Sequence, residues 1–477
     1  MLKILHRFRS TDNLLDKYHE LENQEIYFAS PDKLNDPMEG FKDVYWHGDE
    51  VAWKNLAKHY LLCLEHLYSL LIIGGKSVLI QPEDIPIFKT QEQLPTPQYK
   101  QLFEEICNGF FDNDLISQFI EGLSNRSRVI RRSELLSYFS SLHLYALEKI
   151  FAVYVQHKFI DKRSDTELIR QMAEKALSQL PAIVKLTNEV EESYPEITRG
   201  ADLLYSAMAH TTSQLALITI YNGPPLDDDN KSFILLAFPE TYIRQIEKIL
   251  YPDWYAACFM NQYSNSSVWG NYADKHRGAC LSFKSKMEND RVFINLYGIN
   301  GWGSSGPMRG KRNHEFYKID YEKKPAEVDF FRSLGRLSRP VLTMSWYTDK
   351  NGSKSVCADE VFEFEEQWRE RYWARFYQGI TTKLKDWAYE EEYRLILSSS
   401  LIDFTDPNNR KLKYDFSDLE SITFGINTST EDKLKIMKII EAKCKKENRK
   451  EFKFYQAHYY WQTGTIERSE MSLLRSA

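Results

Sequence analysis

A helical pattern running from about residue 50 to about residue 250 separates two strand-bearing parts of this 477-residue chain. That arrangement constrains the fold more than any other feature. Strand patterns at 3–9 and 25–30 precede the block. One strand pattern, 232–238, falls within its last part, and further strands follow it at 254–263, 278–283, 315–321, 421–425 and 452–456, with an acidic strand near 390–397. Two short strands cannot bury a face alone, so they must recruit partners from beyond the block. The expected fold class is therefore α+β, a mixed twisted sheet assembled from both chain ends with a large helical insertion. The corresponding domains are 1–49 with 250–460 as a split core, 50–249 as a helical insertion or domain, and 461–477 as a loose tail. Inside the block, 51–73, 101–123, 132–160, 182–193 and 200–221 carry helical periodicity. Ser164-Asp165-Thr166-Glu167 reads as a capping box, and Asn222-Gly223-Pro224-Pro225 as a break. No repeat and no catalytic pattern occurs there, so the block is expected to offer a surface to a protein partner.

Hydrophobic residues make up 43% and aromatics 14%, enough for a large core. A formal charge of -6 argues against a generally basic nucleic-acid binder and leaves only a local basic patch, Arg309, Lys311 and Arg312. That patch follows a glycine-rich stretch, 298–306. No Gly-Lys-Ser/Thr follows it in the frame a phosphate loop needs, so a mobile surface insertion is expected. The most apolar run, 61–73, contains Glu65 and His66 and reads as a buried helix, with no membrane span. Cys63, Cys107, Cys258, Cys280, Cys357 and Cys444 form no C-x-x-C pair. Reduced thiols and a cytoplasmic location are the expectation.

The candidate chemistry centres on 387–394, Trp-Ala-Tyr-Glu-Glu-Glu-Tyr-Arg, with Leu395-Ile396-Leu397 after it. Read as a strand, it points Tyr393, Leu395 and Leu397 to one face and Glu390, Glu392 and Arg394 to the other. Two carboxylates and a guanidinium in a row make either an ion-pair ladder or a site, and both readings stand. Earlier, Leu34-Asn35-Asp36-Pro37-Met38-Glu39-Gly40 follows the strand at 25–30. Pro37 keeps Asp36 out of the α region, so Asn35 and Asp36 either face a ligand or close an Asx-turn. In the short helix at 268–274, Trp269, Tyr272 and Ala273 share a face that is either core or an aromatic shelf.

Taken in order, four motifs resemble a bacterial family designated domain of unknown function 2971. They are 34–39, 268–273 with 278–283, 387–394 and 422–425. The likeness covers 1–46 and about 250–460. Leu34, Met38, Val268 and Gly270 depart from the family's residues, and His6 stands where the family has an aromatic. The family carries no settled activity, and three readings remain open. In the first, layout alone suggests an ADP-ribosyltransferase-like enzyme, a setting of bacterial defence or toxin biology. His6 and the Ser30–Asn35 region would then hold a nicotinamide dinucleotide (NAD). Glu392 would stabilise an oxocarbenium-like centre, and Trp269 or Tyr272 would stack on a ring. In the second, a non-catalytic protein recognises a nucleotide, a nucleic acid or a partner, since no nucleophile–base pair stands at fixed spacing. In the third, Asp36, Glu39, Glu390 and Glu392 hold magnesium or manganese in a hydrolase or nuclease.

Overall fold

The computed structural model describes residues 2–124, 128–162, 164, 166–193, 200–222, 229–304 and 306–471. Asp165 of the capping box and Gly223, Pro224 and Pro225 of the break lie outside them. The chain divides into two compact units. One comprises Met1–Phe41, Pro252–Ala326 and Tyr377–Ala477; the other comprises Lys42–Tyr251 and Glu327–Phe376. The helical unit thus takes in a second stretch, 327–376, that the expected 50–249 insertion omitted. Strands in chain order are β1 (Leu2–Arg9), β2 (Glu25–Tyr27), β3 (Lys42–Trp46), β4 (Ile130–Arg131), β5 (Trp254–Met260), β6 (Ala279–Glu288) and β7 (Arg291–Gly303). They continue with β8 (Gly306–Lys318), β9 (Ala326–Asp329), β10 (Glu392–Ser398), β11 (Lys411–Tyr414), β12 (Leu419–Phe424), β13 (Lys453–Tyr460) and β14 (Thr465–Glu470).

The first unit is built on an eleven-stranded sheet in the order β14-β13-β12-β6-β1-β5-β10-β8-β7-β11-β2, and strands from both chain ends do interleave in it. An additional β6–β7 pairing closes β6-β1-β5-β10-β8-β7 into a six-stranded barrel, a closure that the expected mixed twisted sheet did not include. The closing hairpin turns on Asn289 and Asp290 (φ 49° and 62°) between the paired Glu288 and Arg291. Two left-handed residues give the primed turn whose twist matches antiparallel strands. Leu5, Phe259, Phe283, Phe316, Leu395 and Leu397 pack into one buried core. The Phe259 ring meets Phe283 and Phe316 edge-on, at 5.7 and 4.9 Å. β5 is not paired with the strands carrying either ring, so this face is the barrel interior. Tyr393, Leu395 and Leu397 point inward, and Glu392 and Arg394 therefore line the outer wall.

Several sequence expectations are corrected here. Residues 298–306 are not a loop: apart from Ser305, which lies outside the described residues, they extend the β7–β8 hairpin, with Gly298 paired to Gly310. The tail from 461 contains β14, which pairs antiparallel with β13 from Tyr455↔Glu470 to Tyr460↔Thr465. Its Arg-Ser-Glu run looks like tail composition, and only pairing makes it a strand. Residues 233–237 form a π-helical turn instead of a strand, because they continue directly into the helix Phe238–Ile246.

The second unit is mainly helical, with β3, β4 and β9 forming a small sheet. Among the described residues one helix, Glu50–Gly74, is long and apolar enough to cross a membrane, and 56% of its apolar window is buried in the fold. It is packed as a core helix. Glu65 on it is fully buried and accepts hydrogen bonds from Tyr99 (2.7 Å) and Tyr154 (2.6 Å). Two buried histidines latch the same core. His59 reaches the Ile87 carbonyl through Nε2 (3.0 Å) and the Tyr242 hydroxyl through Nδ1 (2.9 Å). His143 does likewise with the Ile234 carbonyl (2.7 Å) and the Tyr60 hydroxyl (2.8 Å). A carbonyl only accepts, so each Nε2 carries the proton and each Nδ1 accepts from tyrosine.

Burial holds both imidazoles down at about 4. Unfolded histidine takes up its proton near 6.5, so the unfolded chain binds more protons between those values and stability falls with pH there. The latch contributes fully above about pH 6.5 and is lost progressively towards about 4. Urea unfolding of wild type and a His59→Gln/His143→Gln double variant is the check. The wild-type curve is expected to lose stability across that window, at about 1.4 kcal/mol per pKa unit for each histidine. The double variant is expected to show a flatter profile.

Candidate functional site

The acidic residues identified in sequence do gather, through four elements of the first unit. The 34–41 turn comes first. Asp36 Oδ1 accepts from the Met38 amide (2.9 Å) and its carbonyl accepts from the Glu39 amide (3.1 Å). This is the Asx-turn reading of Asp36, whose side chain serves its own backbone. Gly40 sits at φ +70°, and a Cβ there would lie 2.8 Å from the Trp254 ring, so only glycine lets the chain leave the turn. The last turn of the helix Glu365–Thr381 and the following Lys383 form the second element. The third is the 3-10 turn Lys385–Glu390, and β10 is the fourth. Glu390 is thus not on the strand. Glu391 takes a left-handed conformation (φ 44°) between turn and strand, anchored by Asn261 and Gln262 side chains at 2.8 Å each. That kink returns Glu390 to the same centre as Glu392 by a different path.

At the centre, Arg394 holds Glu392 with two hydrogen bonds, Nε to Oε1 at 2.7 Å and Nη2 to Oε2 at 3.0 Å. Its Nη2 also donates to Glu39 Oε1 (2.8 Å) and its Nη1 to the Ile380 carbonyl (3.0 Å). Lys383 Nζ donates to Glu390 Oε2 at 2.8 Å and lies 3.4 Å from both Glu392 and Glu39. The Tyr272 hydroxyl donates to Glu390 Oε1 at 2.7 Å. Asn35, exposed at the rim, donates to the same oxygen and accepts from Lys383, at 3.3 Å each. All five charged side chains are at most 2% exposed. Three carboxylates face two cations, leaving one negative charge in surplus.

The electrostatics show where that surplus resides. Burial would raise the Glu392 carboxyl, but Arg394 and then Lys383 overcome it and hold it down at about 2. Burial raises Glu390, and Lys383 offsets it only in part. Burial followed by the Glu390 charge raises the Tyr272 hydroxyl, so it stays a donor. Lys383 and Arg394 are raised by the carboxylates against the effect of burial. Chemically the arrangement is saturated: each carboxylate is gripped by a cation, and the cations occupy the space between the carboxylates.

The remaining predicted residues lie elsewhere. His6 on β1 pairs across with Met260, which pairs in turn with Glu392, so two strand spacings separate it from the cluster. It is 6% exposed, hydrogen-bonded to Ser282 (3.0 Å) and edge-on to Tyr263. Burial, with Arg468 nearby, lowers it to about 4. Ser30 precedes the 3-10 turn Pro31–Lys33 and bonds Asp32. Trp269 is fully buried against Phe8, its indole donating to the Tyr263 carbonyl (2.7 Å), and it offers no shelf. Arg309 and Lys311 share one side of β8 while Arg312 takes the other, and Lys311 pairs with Asp415 at 2.6 Å. The basic stretch is therefore divided by strand alternation and is no single patch.

Sequence reasoning missed a polar cleft in the second unit. It holds about 310 Å3 and is lined in part by Tyr45, Arg332, Glu360, Trp368, Arg371 and Arg375. A signal was available: 368, 371, 372 and 375 recur at helical spacing and put two arginines and two aromatics on one face. Comparisons of the chain with protein-family models, with curated proteins and with solved structures find no match.

The two buried glutamates are expected to answer differently to the same change. Glu392→Gln leaves Arg394 under-compensated in the interior and should cost about 3–5 kcal/mol. Glu390→Gln removes the surplus charge but keeps an acceptor for only one of Lys383 and Tyr272, which donate to different oxygens, and should cost less than Glu392→Gln. Denaturant unfolding at pH 7 measures both. Because folding lowers the Glu392 pKa, its contribution is present above the unfolded value and lost as pH falls from about 4.5 towards 2. The gap between wild type and Glu392→Gln should narrow over that range.

Proposed function

We propose that this protein is a non-catalytic recognition protein, in which the barrel and its sealed charges form a scaffold. One observation carries the reading: Glu392, the residue an enzyme of this layout would need, is 1% exposed and held by both Arg394 and Lys383. A carboxylate at about 2 and gripped on both oxygens has little basicity left for proton transfer. The dinucleotide layout fits these residues poorly. It needs His6, the Ser30–Asn35 region and Glu392 around one cleft, whereas His6 is turned to Ser282 and Tyr263 and Trp269 is core.

The metal reading has less support still. Asp36 is committed to its turn, and Glu39, Glu390 and Glu392 already surround Lys383. An ammonium at that position takes the oxygen ligands a divalent cation would require. Recognition of a nucleotide, a nucleic acid or a partner is the reading that asks nothing of these buried groups.

The test is incubation of the folded wild-type protein with NAD, with release of nicotinamide as the readout. No release above the buffer rate is expected. Release that disappears in a Glu392→Gln protein still folded by circular dichroism would overturn the proposal in favour of the transferase.

A further inference from the structure

The cleft of the second unit differs from the barrel's charge cluster in two ways: it is open, and its surplus charge is positive. Arg332 forms its floor and is fully engaged. It donates to Asp329 (2.9 Å), to Glu360 (2.9 Å) and to the His47 carbonyl (2.8 Å). Arg371 shares the other oxygen of Glu360 at 2.5 Å and is 44% exposed. Arg375, one turn further along the helix Glu365–Thr381, lies beside the Tyr45 hydroxyl and forms an ion pair with no carboxylate among the described residues. Three guanidinium groups thus line the cleft with two carboxylates, Asp329 and Glu360, and one positive charge is in surplus. Paired guanidinium forks at the rim suit the oxygens of a phosphate more closely than a point cation would.

The opposite requirement, a flat apolar wall, is met on the same helix face. Trp368 stacks on Tyr372 with centroids 5.1 Å apart and planes 25° apart. Its indole donates to the Arg332 carbonyl at 2.6 Å, and Tyr372 donates to the Leu250 carbonyl at 2.8 Å, so both rings are fixed before any ligand arrives. Tyr372 also packs where a side chain on Gly335 would stand, 2.3 Å from its ring. A pre-set indole beside an anion site is the arrangement that stacks a planar ring while the charge is held.

We propose that this cleft binds a nucleoside monophosphate, its phosphate on Arg371 and Arg375 and its base against Trp368. The volume, about 310 Å3, lies at the low end of the range for small-molecule sites, roughly 300–1,000 Å3, which accommodates one nucleotide and excludes a dinucleotide. This site deepens the recognition reading and rests on it only in expecting no turnover.

Isothermal titration of the full chain with AMP, GMP, CMP and UMP tests it, with adenosine and inorganic phosphate as separate arms. At least one monophosphate is expected to bind ten-fold or more tighter than either arm. Arg375→Gln should weaken that binding at least ten-fold with little change in melting temperature, since the residue is partly exposed and forms no ion pair among the described residues. Arg371→Gln is the second variant, should the first not fold. Binding of phosphate as tight as any monophosphate would overturn the stacking half. No binding, or binding indifferent to both arginines, would overturn the site. Conversion of the bound monophosphate would leave the site standing and overturn the recognition reading instead.

Discussion

The contact between Lys383, Arg394 and the three glutamates 39, 390 and 392 ties together more of the first unit than any apolar pair does. Each of these groups costs several kcal/mol to remove from water, and none would be tolerated there alone. Their partners come from the 34–41 turn, the end of a helix, a 3-10 turn and β10, so the local path of each segment is fixed by the demand that its charge find a partner. This explains why the turn needs glycine at Gly40 and why Glu391 adopts a left-handed backbone. The backbone strain at Glu391 is small beside an unpaired buried carboxylate.

Closure of the barrel is the second constraint. An outer wall can carry Glu392 and Arg394 because Leu395 and Leu397 give the inner face of the same strand to the core. Leu395 and Leu397 meet the interior phenylalanines, and alternation does the rest. Closure also removes free edges for most of the sheet. β12, β13 and β14 pair onward from β6, and β11 and β2 pair onward from β7, where the two seam strands part. The seam is held by pairs adjoining Asn289 and Asp290, a two-residue turn whose conformation sets the register of both strands.

Sequence made the composition of the charge cluster readable, and not its geometry. Glu392 and Arg394 share a strand face by simple period-two reasoning, as do Leu395 and Leu397 opposite them. Glu390 joins them although the same reasoning rests on a strand that has not yet begun, because Glu391 rotates the chain. Asn35, Glu39 and Tyr272 were legible as polar groups near turns and helices, whereas Lys383, which every carboxylate touches, had no motif to mark it. Nothing short of three dimensions shows that three scattered acids need one amine. The barrel was illegible for a related reason: pairing between β6 and β7 looks the same in sequence whether a sheet is open or closed. By its contacts the stretch 327–376 falls in the helical unit, whereas the sequence groups it with the split core.

The two units use charge in opposite ways, and this difference bears on function. In the barrel's cluster both cations, Lys383 and Arg394, are matched by buried carboxylates, and the result is stiffness with little left to act on a ligand. In the helical unit Arg332 is matched while Arg371 and Arg375 stand at an opening with less anion than cation around them. Electrostatic free energy that is already spent within the fold cannot be spent again on binding. An incompletely compensated arginine beside a fixed indole retains it, held ready for an anion from solution. The acidic row that dominates the sequence is therefore the framework, and the less conspicuous arginine helix is where recognition has free energy to use.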